Sequence, residues 1–197
     1  MRGVRACAPL PVEGERLSGG GGRLYFVVSQ PGTRVARLLG LFTRARRNHV
    51  SLLLEIGAEE MYSFGRKVRW FPLRGGFVVE RLSEGVLRLC AARSHFDLVE
   101  VRLTEEQREA VRVRLGRFLA APERYAYNLL GLLPQLFGFV WVRKRHFSCS
   151  QFCAFLVEGI LPLPKRYPAM LPEDFYKLGR VVRSGRLSEL LTKEFLI

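Results

Sequence analysis

The run Phe147-Ser148-Cys149-Ser150-Gln151-Phe152-Cys153 puts a cysteine where an apolar helix begins. Ser148 and Gln151, three apart, have the form of a capping box, which makes Cys149 the first helical residue. Unpaired backbone N–H groups and the helix dipole favour negative charge at that position. A thiol there is biased toward the thiolate, the form that attacks carbonyl carbon. The same N–H groups are placed to serve as an oxyanion hole. Arg143, Lys144 and Arg145 lie just upstream and add positive charge. Cys153 sits one turn further in, on the apolar face, and reads as core.

Nucleophilic thiol chemistry needs an imidazole within hydrogen-bond reach, held by a third polar group. The chain offers three histidines. His49 heads a cleanly alternating strand, on its more polar face. His95 also begins a strand, with fewer polar neighbours. His146 stands three residues before Cys149, where an extended chain carries it away from the thiol. His49 is the preferred base. The competing reading is plain: a cysteine at a helix start can be a small buried residue, and a histidine at a strand end can be structural.

Other elements must bring these two groups together. Leu24–Val28 reads as a buried strand ended by Gln30-Pro31-Gly32, followed by a helix that Thr33 caps and that Val35, Leu38, Leu39 and Phe42 anchor. Over His49–Ile56, Val50, Leu52, Leu54 and Ile56 take one face, and His49, Ser51, Leu53 and Glu55 the other. Gly57-Ala58-Glu59 turns the chain, and Glu60–Phe64 returns as the hairpin partner. Phe77–Glu80 and Phe96–Leu103 are further strands. Thr104-Glu105-Glu106-Gln107 is a capping box that opens the longest helix. Val111, Leu115, Phe118 and Leu119 form its buried stripe, and Arg108, Arg112 and Arg114 its solvated face. Tyr125–Phe137 reads as an apolar helix and the end of the chain as a helical tail. The inventory is that of an α+β domain with short, largely antiparallel strands.

Of 197 residues, 48% are hydrophobic and 25% charged, and the formal net charge is +14. This composition belongs to a globular protein with one sizeable core. The charge favours an anionic partner, although the basic residues are scattered and make no nucleic-acid footprint. Four cysteines (Cys7, Cys90, Cys149, Cys153) build neither a disulfide framework nor a zinc pattern, so neither a metal nor a cofactor is expected. A reducing compartment suits them. The leader 1–22 lacks the apolar run of a signal peptide, and no stretch reaches the roughly 18 apolar residues of a membrane span. A cytoplasmic location is the expectation.

Four segments, Asn48–Leu52, Glu60–Lys67, Tyr125–Leu132 and Phe147–Phe152, together resemble a bacterial, Firmicutes-type branch of the permuted papain-like hydrolases. That branch is related to YiiX and to the lecithin:retinol acyltransferase group, within the NlpC-type superfamily. The resemblance covers roughly residues 24 to 180. It implies a circularly permuted papain-like fold, an antiparallel sheet or small barrel packed against helices. In the permuted order the histidine strand precedes the cysteine helix, as it does in this sequence. The resemblance therefore implies Cys149 as nucleophile and His49 as base. The third polar member, on the strand after the histidine strand, falls at Ser63, or at Glu60 in another hairpin register. Tyr25 and Tyr127 are candidates for lining the groove, and Gln151 for positioning a substrate carbonyl. Against these stand core packing of the two tyrosines and closure of the capping box by the glutamine.

The expected organisation is a flexible leader (1–22), a permuted papain-like domain (23–182) and a helical tail (183–197). The expected activity is a cysteine hydrolase or acyltransferase that cleaves an amide or ester through an acyl-enzyme, with a small-molecule, peptide or lipid acyl substrate. The alternative is a non-catalytic module whose basic surface binds an anionic partner, a lipid surface or a nucleic acid.

Overall fold

The computed structural model describes residues 21–30, 47–66, 75–81, 94–136 and 139–191. The expected leader up to residue 20, the Val35–Phe42 helix, Cys7 and Cys90 lie outside the described residues. Among the described residues, eight strands form one curled, mixed sheet in the order β7-β6-β4-β3-β2-β1-β5-β8. In chain order these are β1 (Gly22–Gln30), β2 (His49–Leu53), β3 (Glu60–Arg66), β4 (Gly75–Arg81), β5 (His95–Leu103), β6 (Ala126–Tyr127), β7 (His146–Phe147) and β8 (Arg180–Arg186). The helices are α1 (Glu105–Ala120), α2 (Leu129–Leu136) and α3 (Cys149–Val157). The architecture is α+β. No described helix is long and apolar enough to cross a membrane.

An interior strand of the sheet, β1, pairs antiparallel with β5 from Gly22↔Leu103 to Gln30↔His95 and with β2 from Tyr25↔Leu53 to Ser29↔His49. Its apolar run is continuous because both faces are covered. Leu24, Phe26 and Val28 enter the main core, while Tyr25 and Val27 join a smaller cluster with Leu53, Met61, Phe96, Leu98 and Leu187. Alternation along the strand assigns the two clusters to opposite faces.

Helix α3 lies on the main-core face. Cys149, Phe152, Cys153 and Leu156, spaced along one helical stripe, are all buried, and the other faces are nearly as well covered. Phe152 stacks near Phe64 and Phe118, with ring centroids 5.1 and 5.0 Å away. These contacts fix α3 against the sheet (β3) and against α1, so the helix start cannot shift relative to β2 without unpacking the core. Aromatic burial of this kind contributes about 0.5–1.5 kcal/mol per pair beyond area alone.

Several expectations change in three dimensions. The histidine strand stops at Leu53 instead of Ile56, because residues 54–59 make the turn. Leu119 is exposed, and the buried stripe of α1 is Val111, Leu115 and Phe118. The arginines of α1 are not simply a solvated face. Arg114 donates to the carbonyls of Phe155, Leu156 and Glu158, closing the C-terminal end of α3, and Arg108 and Arg112 pair with Glu55. The Tyr125–Phe137 helix is shorter. Tyr127 belongs to the strand β6, which pairs in parallel with β7, and α2 begins only at Leu129. The boundary expected after residue 182 falls inside β8, which pairs with β5 and so belongs to the sheet.

Candidate active site

Both expected capping boxes form. Ser148 Oγ accepts the N–H of Gln151, and the Gln151 side chain accepts the N–H of Ser148 at 3.0 Å. This fixes Cys149 as the first residue of α3, 4% exposed. The N–H of Cys149 has no intrahelical acceptor at that position, as for the first residues of any helix.

His49 enters from the first residue of β2. Its Nε2 lies 3.0 Å from Glu80 Oε1 and 3.2 Å from Ser51 Oγ, and the Ser51 hydroxyl donates to Glu80 Oε2 at 2.6 Å. Since the one hydroxyl proton of Ser51 points to Glu80, its oxygen accepts from His49. Nε2 therefore carries a proton, and Nδ1 is the ring nitrogen left for the Cys149 sulfur, whose ionisation is linked to that of His49. His49 and Ser51 are two apart on one strand, which brings both to the same carboxylate. The side chains of His49 and Glu80 are 14% and 15% exposed, enough shelter for their attraction to be only partly screened.

The electrostatics follow from this chain of contacts. Burial works against charge on His49, but the Glu80 carboxylate and the hydrogen-bonded Cys149 sulfur more than reverse it. The imidazole is held well above its ordinary pKa. Burial would likewise raise Glu80, yet the charge and hydrogen bond of His49 and the Ser51 hydroxyl keep it below the usual glutamate value. Burial would also raise the Cys149 thiol. The His49 hydrogen bond and charge, then the N–H groups of Val50 and Ser150, bring it below the ordinary cysteine value. Both shifts run toward the thiolate and imidazolium forms. Cys153 is the contrast: burial, then the charges of Cys149 and Glu80, push its thiol far up, and its Sγ donates to the Val50 carbonyl at 3.7 Å.

The side chains in contact with His49 Nε2 are Glu80 and Ser51, where Ser63 or Glu60 had been expected. The Ser63 hydroxyl donates to the Val50 carbonyl at 2.8 Å, a buried contact that supports β2. Glu60 lies at the strand start, bonded to Arg81 and to the Tyr62 hydroxyl. Glu80 stands on β4, one strand beyond, opposite Met61. It was visible only as the single acidic residue at the end of an apolar strand, a pattern that usually marks a solvated strand end. A carboxylate there changes the chemistry, because it stabilises imidazolium charge as a hydroxyl cannot.

The expected groove residues separate from the site. Tyr25 is buried in the smaller cluster, its hydroxyl toward Glu100. Tyr127 packs on the main core beside Gly75, where a β-carbon would lie 2.7 Å from its own. Gln151 is buried, accepting from Ser148 and Asn128 and donating to the Pro168 carbonyl at 3.1 Å. It closes the cap and is 4% exposed. His95 heads β5, and His146 turns its Nδ1 to the Lys144 carbonyl. Asn128, unremarked in the sequence, bridges Gln151 and the Trp141 carbonyl. Among the described residues no group of three His, Cys, Asp or Glu side chains could hold a metal ion. Comparison of the chain with protein-family models, with curated proteins and with solved structures finds no match.

Proposed function

We propose that this protein is a cysteine hydrolase or acyltransferase working through an acyl-enzyme at Cys149, with His49 as acid and base and Glu80 as the group that orients and charges His49. The observation that carries the reading is the series Cys149, His49, Glu80, in which the cysteine sulfur is electrostatically linked to an imidazole that Glu80 holds at 3.0 Å, the three residues being carried by α3, β2 and β4. A structural cysteine needs none of these partners; Cys153, four residues on, has only a backbone carbonyl.

The Cys149 thiolate attacks the carbonyl carbon of an ester or amide, forming the S–C bond as the carbonyl π electrons move to oxygen. The Cys149 N–H, at the start of α3, stabilises that oxyanion. As the oxyanion collapses, the bond to the leaving oxygen or nitrogen breaks, and the His49 imidazolium supplies its proton. Neutral His49 then takes a proton from water or another acceptor. The acceptor attacks the thioester, and Cys149 leaves as thiolate beside a restored imidazolium. Glu80 keeps Nε2 protonated throughout, which holds Nδ1 toward the reacting atoms.

The order of the elements, histidine strand before cysteine helix, supports a circularly permuted papain-like fold of the NlpC-type superfamily as the accompanying reading. Incubation with a panel of activated esters, thioesters and aminoacyl amides, followed by intact-mass and peptide mass spectrometry, tests the proposal. Acylation confined to Cys149, turning over in the wild type and absent in Cys149→Ala, is the expected result. Acylation spread evenly over all four cysteines, or none at Cys149, refutes it.

A further inference from the structure

Beyond the thiol site, Phe139 to Val142 place four consecutive large apolar side chains on the surface, with exposures of 70%, 44%, 49% and 56%. Leu130 on α2 is another exposed apolar side chain nearby in sequence, 51% exposed. Arg143, Lys144 and Arg145 follow directly, and the Arg143 guanidinium lies 5.9 Å from the centre of the Trp141 ring. The segment is built to hold this display. The Phe139 N–H donates to the Pro134 carbonyl at 3.0 Å, and the Trp141 carbonyl accepts from Asn128 Nδ2 at 3.0 Å. The Arg145 carbonyl accepts from Ala126 at 3.0 Å, with Arg145 itself at φ 60°.

Continuous apolar exposure of this kind marks a surface that something covers. The chemistry narrows the occupant. Valines at 140 and 142 give bases nothing to stack on, so a single-stranded nucleic acid would use only half the display. An apolar protein surface would leave three adjacent cations without partners. An anionic bilayer satisfies both halves. Phe139, Val140 and Val142 enter the acyl boundary, the Trp141 indole suits the headgroup level, and the basic triplet meets lipid phosphates. The chain's net charge of +14 draws it toward such a surface.

We propose that Phe139–Arg145 is an interfacial loop that docks the protein on an anionic lipid surface. Asn128 joins this loop to the cysteine helix, since its Nδ2 donates both to the Trp141 carbonyl and to Gln151 Oε1 in the cap of α3. The docked face thus adjoins the end of the helix that carries Cys149. The docking itself does not rest on thiol chemistry.

Cosedimentation of the full chain with phosphatidylcholine vesicles, with and without phosphatidylglycerol, tests the proposal. Binding is expected only to the anionic vesicles, weakening steeply with salt. The combined variant Arg143→Gln/Lys144→Gln/Arg145→Gln should bind on the order of a hundredfold more weakly at low salt. Phe139→Ser/Trp141→Ser, at exposed positions, should weaken binding about tenfold or more. Cys149→Ala should bind as the wild type does. Lipid-borne bromine should quench tryptophan emission in the wild type and not in Trp141→Phe, a readout that does not depend on the multiple variants folding. Equal binding by wild type and both loop variants, or no quenching assigned to Trp141, overturns the proposal. So does preferential retention on single-stranded DNA that Phe139→Ser/Trp141→Ser leaves intact.

Discussion

Replacing His49 by alanine removes the group proposed to activate Cys149 and leaves the rest of the thiol environment in place. In the wild type, burial opposes ionisation of Cys149, and the hydrogen bond and charge of His49 are the largest forces in its favour. Without them the sulfur of this 4% exposed residue keeps only the N–H groups of Val50 and Ser150 and the start of α3. An ordinary thiol is ionised to about one part in thirty at neutral pH, and burial pushes this one lower. The more basic thiolate of the variant is intrinsically more nucleophilic, which recovers part of the loss. The alkylation rate of Cys149 at neutral pH should therefore fall about tenfold or more. The assay is iodoacetamide labelling across pH, read peptide by peptide so that Cys7, Cys90, Cys149 and Cys153 are followed separately. In the wild type, Cys149 should label faster than Cys153 and remain reactive below the range of ordinary thiols. Unchanged Cys149 labelling in His49→Ala, at unchanged thermal stability, would falsify the ion-pair account.

Four further expectations follow from particular contacts. Glu80→Gln keeps a hydrogen-bonding group but loses its charge, so the His49 pKa moves down and the alkaline limb of any pH–rate profile moves with it; histidine-ring NMR reads the first directly. The pair also shapes stability. Glu80 contributes above its ordinary 4.5 and loses this as pH falls through its lowered value, while His49 contributes fully below 6.5 and loses this as pH climbs through its raised value. The melting temperature of the wild type should exceed that of Glu80→Gln most between those two pH values, and an equal gap at all pH would contradict this. Ser63→Ala should leave the pH profile of Cys149 alkylation unchanged and cost about 1 kcal/mol in denaturant unfolding, since its hydroxyl serves Val50. Arg114→Met strips three carbonyls at the end of α3 of their donor and should cost about 3 kcal/mol by the same measurement.

Contacts of short range were the legible ones. The two capping boxes, the turn at Gly57–Glu59, the strand from Phe96 to Leu103 and the burial of Cys153 all rest on residues within a few positions of one another, where side-chain period and capping chemistry act directly. What escaped depends on partners distant in sequence. Arg114 looked solvated because its carbonyl acceptors lie more than forty residues on, at separations of 41 to 44. The helix expected from Tyr125 yields two residues to β6 because β4 and β7 offer backbone partners there. The tail past residue 180 extends the sheet because the edge of β5 is open to it.

The sequence by itself determined that Cys149 starts a helix and that His49 heads a strand, because a cap and an alternating pattern are local facts. It also determined that Cys153 is a different kind of thiol, one turn deeper. Tertiary structure alone decided that these two elements meet, and which group stands behind the imidazole. Glu80 is 31 residues from His49 and two strands away, and no local pattern records which side chains a curled sheet brings together. Strand register and sheet curl, set by the packing of many residues at once, chose a carboxylate where a hydroxyl had been expected.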